Sequence, residues 1–176
     1  MSLKIIAGTH RGRNIETPEG KETRPTASRV REALFNILGP VEGLEFWDLY
    51  AGSGAVGIEA KSRGATEVTL VETNPKVCKI IDSNLKSLKM DRSIKVQNKK
   101  SEAFVELAMR KEMQCDVLFV DPPFVNAYPD TEEWVKLVKP GGVMILQYPS
   151  QNSPIFDLTP SKVKAYGESC LAFFEV

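Results

Sequence analysis

The sequence predicts an α/β fold: a mostly parallel seven-stranded sheet, an antiparallel pair of strands closing it at the C-terminal end, and a small N-terminal β-hairpin. Three observations carry this. From Leu44 onward, short apolar runs alternate with segments of helical periodicity. The first apolar run passes through a glycine-rich turn straight into a helix. Polar residues gather at the ends of these runs, which in a parallel sheet form one edge.

The elements follow in order. Leu3 to Ala7 and Arg13 to Glu16 read as short strands joined by Gly8-Thr9-His10-Arg11-Gly12. Thr17-Pro18-Glu19-Gly20 is a turn, and a polar loop runs on to Arg24-Pro25. Thr26 or Ser28 caps a helix with Val30, Leu34, Ile37 and Leu38 at helical spacing, and Gly39-Pro40 ends it. Strands are expected at 45–50, 67–72, 94–97, 115–120 and 142–147, with helices at 54–64, 75–89, 101–112 and 130–138. Ser161 to Tyr166 and Cys170 to Val176 form the closing antiparallel pair. The whole chain, 1–176, reads as one domain, with 1–40 an extension and 41–176 the core.

Composition excludes several classes. At 42% hydrophobic and 26% charged residues, the chain resembles soluble globular proteins. No apolar run approaches the roughly 18 residues of a membrane span, and Met1-Ser2-Leu3-Lys4 reads as opening no signal peptide. The expectation is a cytoplasmic protein without a membrane partner. Cys78, Cys115 and Cys170 are widely spaced, and His10 is the single histidine, so no metal site is expected. Net charge is zero, yet Lys4, Arg11, Arg13, Lys21, Arg24, Arg29 and Arg31 outnumber the acids of the opening segment. A clustered basic footprint binds phosphate even on a neutral protein; the plainer reading is a solvated basic face.

The motifs with chemistry lie at the strand ends. Val117-Leu118-Phe119-Val120 runs into Asp121-Pro122-Pro123-Phe124. The prolines remove two backbone donors, leaving an acceptor-rich lip beside a flat aromatic, which suits a planar base carrying an exocyclic amine. Upstream, Phe46-Trp47-Asp48-Leu49-Tyr50-Ala51-Gly52-Ser53-Gly54-Ala55-Val56-Gly57 has the G-x-G-x-x-G spacing of a nucleotide-binding turn. It is not a P-loop, since no Gly-Lys-Ser/Thr follows. About 20 residues on, Glu72 ends the next strand, where a carboxylate accepts from ribose hydroxyls. Each motif alone also fits a plain turn or strand end. Their order along the chain is far more specific.

These residues resemble those of S-adenosylmethionine-dependent amino-methyltransferases. Gly12-Arg13, Arg24-Pro25-Thr26 and Arg29-Val30-Arg31-Glu32-Ala33-Leu34-Phe35-Asn36 narrow the resemblance to the RsmD-type 16S ribosomal RNA guanine-N2 methyltransferases, which modify guanine 966 of that RNA. It extends over nearly the whole chain, through Tyr166-Gly167. The resemblance implies a Rossmann-like class I methyltransferase fold and S-adenosylmethionine as cofactor. It implies a substrate in 16S ribosomal RNA, within a small-subunit particle, and a monomer. Asp121, Pro122, Pro123 and Phe124 then form the catalytic lip. Asp48, Tyr50, Ala51, Gly52, Ser53, Gly54, Glu72, Thr73, Lys100, Ser101, Arg24 and Thr26 hold the cofactor, and Arg11, Arg13, Arg29 and Arg31 hold RNA.

The chain also departs from that family. Relatives usually carry Asp or Asn where Lys100 stands, at the side chain that generally meets the adenine amine. Gln147 stands where Glu is common, and the stretch from Phe124 to Gly142 is short, which predicts a trimmed helix. Other functions stay open at this stage. They include adenine-N6 or another nucleic-acid amine as target, a nicotinamide dinucleotide reader, and a non-catalytic RNA-binding assembly factor on the same fold.

Overall fold

The computed structural model describes residues 2–18, 28–90, 92–123, 128–151 and 154–176. Strands β1 (Ser2–Lys4) and β2 (Asn14–Glu16) pair antiparallel, with Leu3 opposite Ile15. Helix α1 (Ser28–Leu38) follows. The core then runs β3 (Glu45–Asp48), α2 (Ala55–Ser62), β4 (Glu67–Glu72), α3 (Pro75–Leu88), β5 (Ile94–Asn98), α4 (Ser101–Arg110) and β6 (Cys115–Val120). Helix α5 (Thr131–Trp134) continues as a 3₁₀ turn over Val135–Leu137, and β7 (Val138–Pro149), β8 (Lys162–Tyr166) and β9 (Ser169–Glu175) close the chain. Helix ends follow local chemistry. Asn74 accepts from the Lys76 N–H with Pro75 in the first turn, and Asp130 accepts from the Glu133 N–H.

The seven-stranded sheet has the order β5-β4-β3-β6-β7-β9-β8. Its first five strands are parallel, and β9 pairs antiparallel with both β7 and β8. The expected strands and helices all appear among the described residues, while Glu19 and Gly20 of the expected turn and the Thr26 cap lie outside them. Helix α5 is the trimmed one. Strand β7 begins at Val138, earlier than the expected 142, because the chain joins the ladder directly from the 3₁₀ turn.

Both faces are buried along the central strands, while the edge strand β8 is exposed, and strand alternation sorts the side chains between the faces. Phe46, Leu70, Phe119 and Ile145 pack under the hairpin, α1, α2 and α3. Trp47, Val71, Leu118 and Leu146 pack under α4 and α5.

A polar network fastens the hairpin to the first face. Glu59 of α2 is fully buried and accepts from the N–H groups of Ile6 and Ala7 at 2.8 and 2.9 Å. Arg63 reaches it at 2.8 Å and Arg31 at 3.6 Å, while Arg31 also donates to the Lys4 carbonyl at 2.6 Å. Asn84 of α3 makes two hydrogen bonds to the Glu16 backbone, one through each end of its amide. This overturns the RNA-contact expectation for Arg31. Its side chain is 0% exposed, facing inward with Val30, Leu34 and Phe35 on one side of α1. Burial also pushes its pKa below the ordinary value, partly offset by Glu59.

Candidate active site at the carboxyl edge of the sheet

Strand order reverses between β3 and β6, and ligands of open α/β sheets bind at such a switch point, beyond the carboxyl ends of the strands. β3 ends there in Asp48, and Asp121 directly follows β6.

The turn from Leu49 to Gly54 hugs the neighbouring strand. Ala51 N–H donates to the Val71 carbonyl at 2.9 Å, and Gly52 N–H donates to Glu72 Oε2 at 3.0 Å. Gly54 precedes α2 with φ +77°, a left-handed conformation that side chains other than glycine's seldom adopt. A Cβ on Gly57 would lie 2.3 Å from Leu70 Cδ2, so this third glycine lets α2 press onto β4. A Cβ on Gly52 would meet nothing within 4 Å, so the loop backbone there faces open space. Ala51 and Ser53 are buried in the turn.

Glu72 is half-buried, and its other oxygen accepts from Asn74 N–H at 2.8 Å and Thr73 Oγ1 at 3.4 Å. Asn98, at the end of β5, donates to the carbonyls of Glu72 and Thr73, each at 2.9 Å. It orients the Glu72 strand end, a role that the sequence analysis missed. Its place as the last residue of the adjacent strand was the available signal. Tyr50 stacks on Trp134 with ring centroids 6.5 Å apart and donates to Glu102 at 3.3 Å. Burial, then Glu102, pushes its pKa up to about 12. The Ser101 hydroxyl donates to the Leu49 carbonyl and so braces the same turn from α4. Lys100, next to it, is exposed.

Asp48 is the most perturbed group of the site. Its side chain is buried, its Oδ1 has no hydrogen-bond partner, and backbone N–H groups of Tyr50 and Gly57 reach the carboxyl. Its pKa is raised to about 8, first by burial, then by the charge of Asp121, with Glu72 adding to it. Asp121 is half-buried, Pro122 buried and Pro123 exposed. Among the described residues the edge thus joins a backbone cradle at Gly52, an acceptor at Glu72, and two carboxyl groups close enough to couple. A nucleoside with a cationic tail fits this donor and acceptor set.

The family model described as "Conserved hypothetical protein 95" matches residues 3–175. The chain belongs to this family. Ribosomal RNA small subunit methyltransferase D of Escherichia coli (strain K12) is 38% identical over 141 residues, covering 80% of this chain and 68% of that protein. The Bacillus subtilis (strain 168) protein YlbH is 28% identical over 181 residues, covering 98% of each. A solved hypothetical protein of Thermus thermophilus superposes with a TM-score of 0.83 at 31% identity, covering 99% of both chains. These matches bear out the RsmD-type resemblance read from the motifs.

In this family member the expected RNA residues are dispersed. Arg11 and Arg13 are exposed, but at the far end of the fold. Arg13 donates to the Ser87 carbonyl at 3.1 Å, and the His10 ring lies 3.0 Å from the Leu88 carbonyl. Both carbonyls end α3, about 18 Å along the helix from its start beside Glu72. Arg29 is exposed in the first turn of α1. Arg24, Thr26 and Phe124 lie outside the described residues. An open cleft of ≈ 450 Å³ lies beside the hairpin, lined by Gly8, Phe35, Gly39, Val41 and Arg63 among others. Its charged side chain among the described residues, Arg63, is committed to Glu59 and to the Phe35 ring, 4.7 Å away.

Proposed function

We propose that this protein transfers a methyl group from S-adenosylmethionine to the exocyclic N2 amine of a guanine in small-subunit ribosomal RNA. The observation that carries the reading is the placement of Asp121 and its two prolines beside the Gly52–Glu72 cradle at the switch point. The cofactor supplies an electrophilic methyl on a sulfonium. The Glu72 carboxylate accepts from its ribose, and the turn backbone from Ala51 to Gly54 lies against it.

The remaining task is the nucleophile. The guanine N2 lone pair is delocalised into the ring, so it must be turned toward the methyl. Asp121 and the Pro122 carbonyl accept the two amine hydrogens and hold the nitrogen for in-line attack. Such orientation can contribute roughly 7–11 kcal/mol to lowering a barrier. The nitrogen gains the methyl and sheds a proton, which Asp121 or water accepts. A base held in structured RNA must be unpaired or flipped to reach this edge. The exposed Arg29 stands in the first turn of α1, and Arg11 and Arg13 take phosphates farther along the same RNA.

The test is methyl transfer from labelled S-adenosylmethionine to free rRNA and to small subunits lacking the modification, with the product nucleoside identified by mass. N2-methylguanosine is the expected product. A methyl found on adenine, or no transfer to either substrate, refutes the assignment.

A further inference from the structure

Gln147 lies near the carboxyl end of β7. Leu146 pairs with Val120 in the parallel ladder, so one step outward Gln147 stands beside Asp121, about 4.8 Å away across neighbouring strands. Alternation places Asp48 with Phe46, Asp121 with Phe119 and Gln147 with Ile145 on one sheet face, the face under α1 and α2. Gln147 is 5% exposed, and its Oε1 is buried with no hydrogen-bond partner. Its ladder neighbour Leu171 and its own Ile145 are wholly buried apolar residues. An apolar side chain would fill that place without leaving an amide oxygen unpaired. The fold thus leaves this amide oxygen without a protein partner.

We infer that Gln147 is a specificity-determining residue: its amide oxygen accepts the N1–H of the guanine whose N2 amine faces Asp121. This rests on the function proposed above. Guanine presents N1–H and N2–H donors side by side, and they match two acceptors side by side, Gln147 Oε1 and Asp121. Adenine presents a bare N1 next to its amine, so the same oxygen would oppose a lone pair. A site that holds a polar group for one substrate rejects the analogue that leaves it unpaired.

The experiment is single-turnover methyl transfer to small subunits carrying either guanine or 2-aminopurine at the target position. 2-Aminopurine keeps the C2 amine but lacks N1–H. The wild-type protein is expected to favour guanine by roughly 10- to 100-fold, the factor for leaving a buried polar group unpaired. Gln147→Met should lose about that factor on guanine and little on 2-aminopurine, so that discrimination collapses. Gln147→Glu, an acceptor, should retain the preference. Cofactor affinity by calorimetry should be unchanged in both variants. A wild-type preference near one overturns the inference, even if Gln147→Met fails to fold. So does a Gln147→Met variant with the wild-type ratio, or a Gln147→Glu variant as indiscriminate as Gln147→Met. Absence of any transfer to guanine by the wild type instead overturns the function on which the inference rests.

Discussion

Replacing Asp48 with Asn should stabilise the protein, and by an amount that grows with pH. The carboxyl is buried, with a pKa raised from 3.8 to about 8 by desolvation and by Asp121. In the unfolded chain it ionises near its ordinary value. Between those two values the folded state holds a proton that the unfolded state has released. Stability from this group is therefore greatest below about pH 4 and is lost as pH rises toward 8. At pH 7 the span is about 3.2 units at roughly 1.36 kcal/mol each, an upper limit of about 4 kcal/mol. Relaxation and water penetration reduce it, so about 2–4 kcal/mol is the working range. Asn stays neutral and keeps an oxygen for the N–H groups of Tyr50 and Gly57. For a chain of this size, the variant should melt roughly 5–15 °C above the wild type at pH 7. The two should nearly coincide at pH 4. Thermal unfolding followed by circular dichroism at pH 4, 5.5, 7 and 8 measures the difference. The same difference at every pH would mean that Asp48 ionises in the folded protein as it does in the unfolded one, and the reasoning would be wrong.

Three further outcomes follow from the site and its support. Glu72→Ala removes the acceptor held by Gly52 N–H and should weaken S-adenosylmethionine binding by roughly 1–3 kcal/mol in calorimetry; unchanged affinity in a folded variant would remove Glu72 from the cofactor site. Asp121→Ala should keep cofactor affinity while slowing single-turnover transfer by at least about 100-fold, since its work is done in the transition state. Near-normal turnover would refute the lip. Glu59→Ala strips the counter-charge from a buried Arg31 and the acceptors from Ile6 and Ala7, and should cost about 3–5 kcal/mol in urea unfolding. A loss below about 1 kcal/mol would mean that the network does not hold the hairpin.

Much of this was legible in the sequence because it is local. Apolar runs of strand length, the capping Asn74-Pro75 pair and the Gly52-Ser53-Gly54 turn each act within a few residues, so the order of strands and helices could be read directly. Parallel crossovers then gather all the strand ends on one edge, which is why Asp48, Glu72 and Asp121 were found together. What depends on packing across the chain was not legible. Arg31 belonged by composition to a basic patch, but its helical phase with Leu34 and Phe35 turned it inward onto Glu59, 28 residues away. Arg11 and Arg13 read as RNA contacts, and only the fold shows that the hairpin carrying them docks on the ends of α2 and α3 remote from Glu72. The raised pKa of Asp48 and the unpaired Gln147 oxygen are likewise consequences of burial, which depends on what the whole chain places overhead. Residue type and spacing determined the elements and the motifs. Solvent exclusion and long-range contact decided which charges meet water, which meet one another, and which are left to meet a ligand.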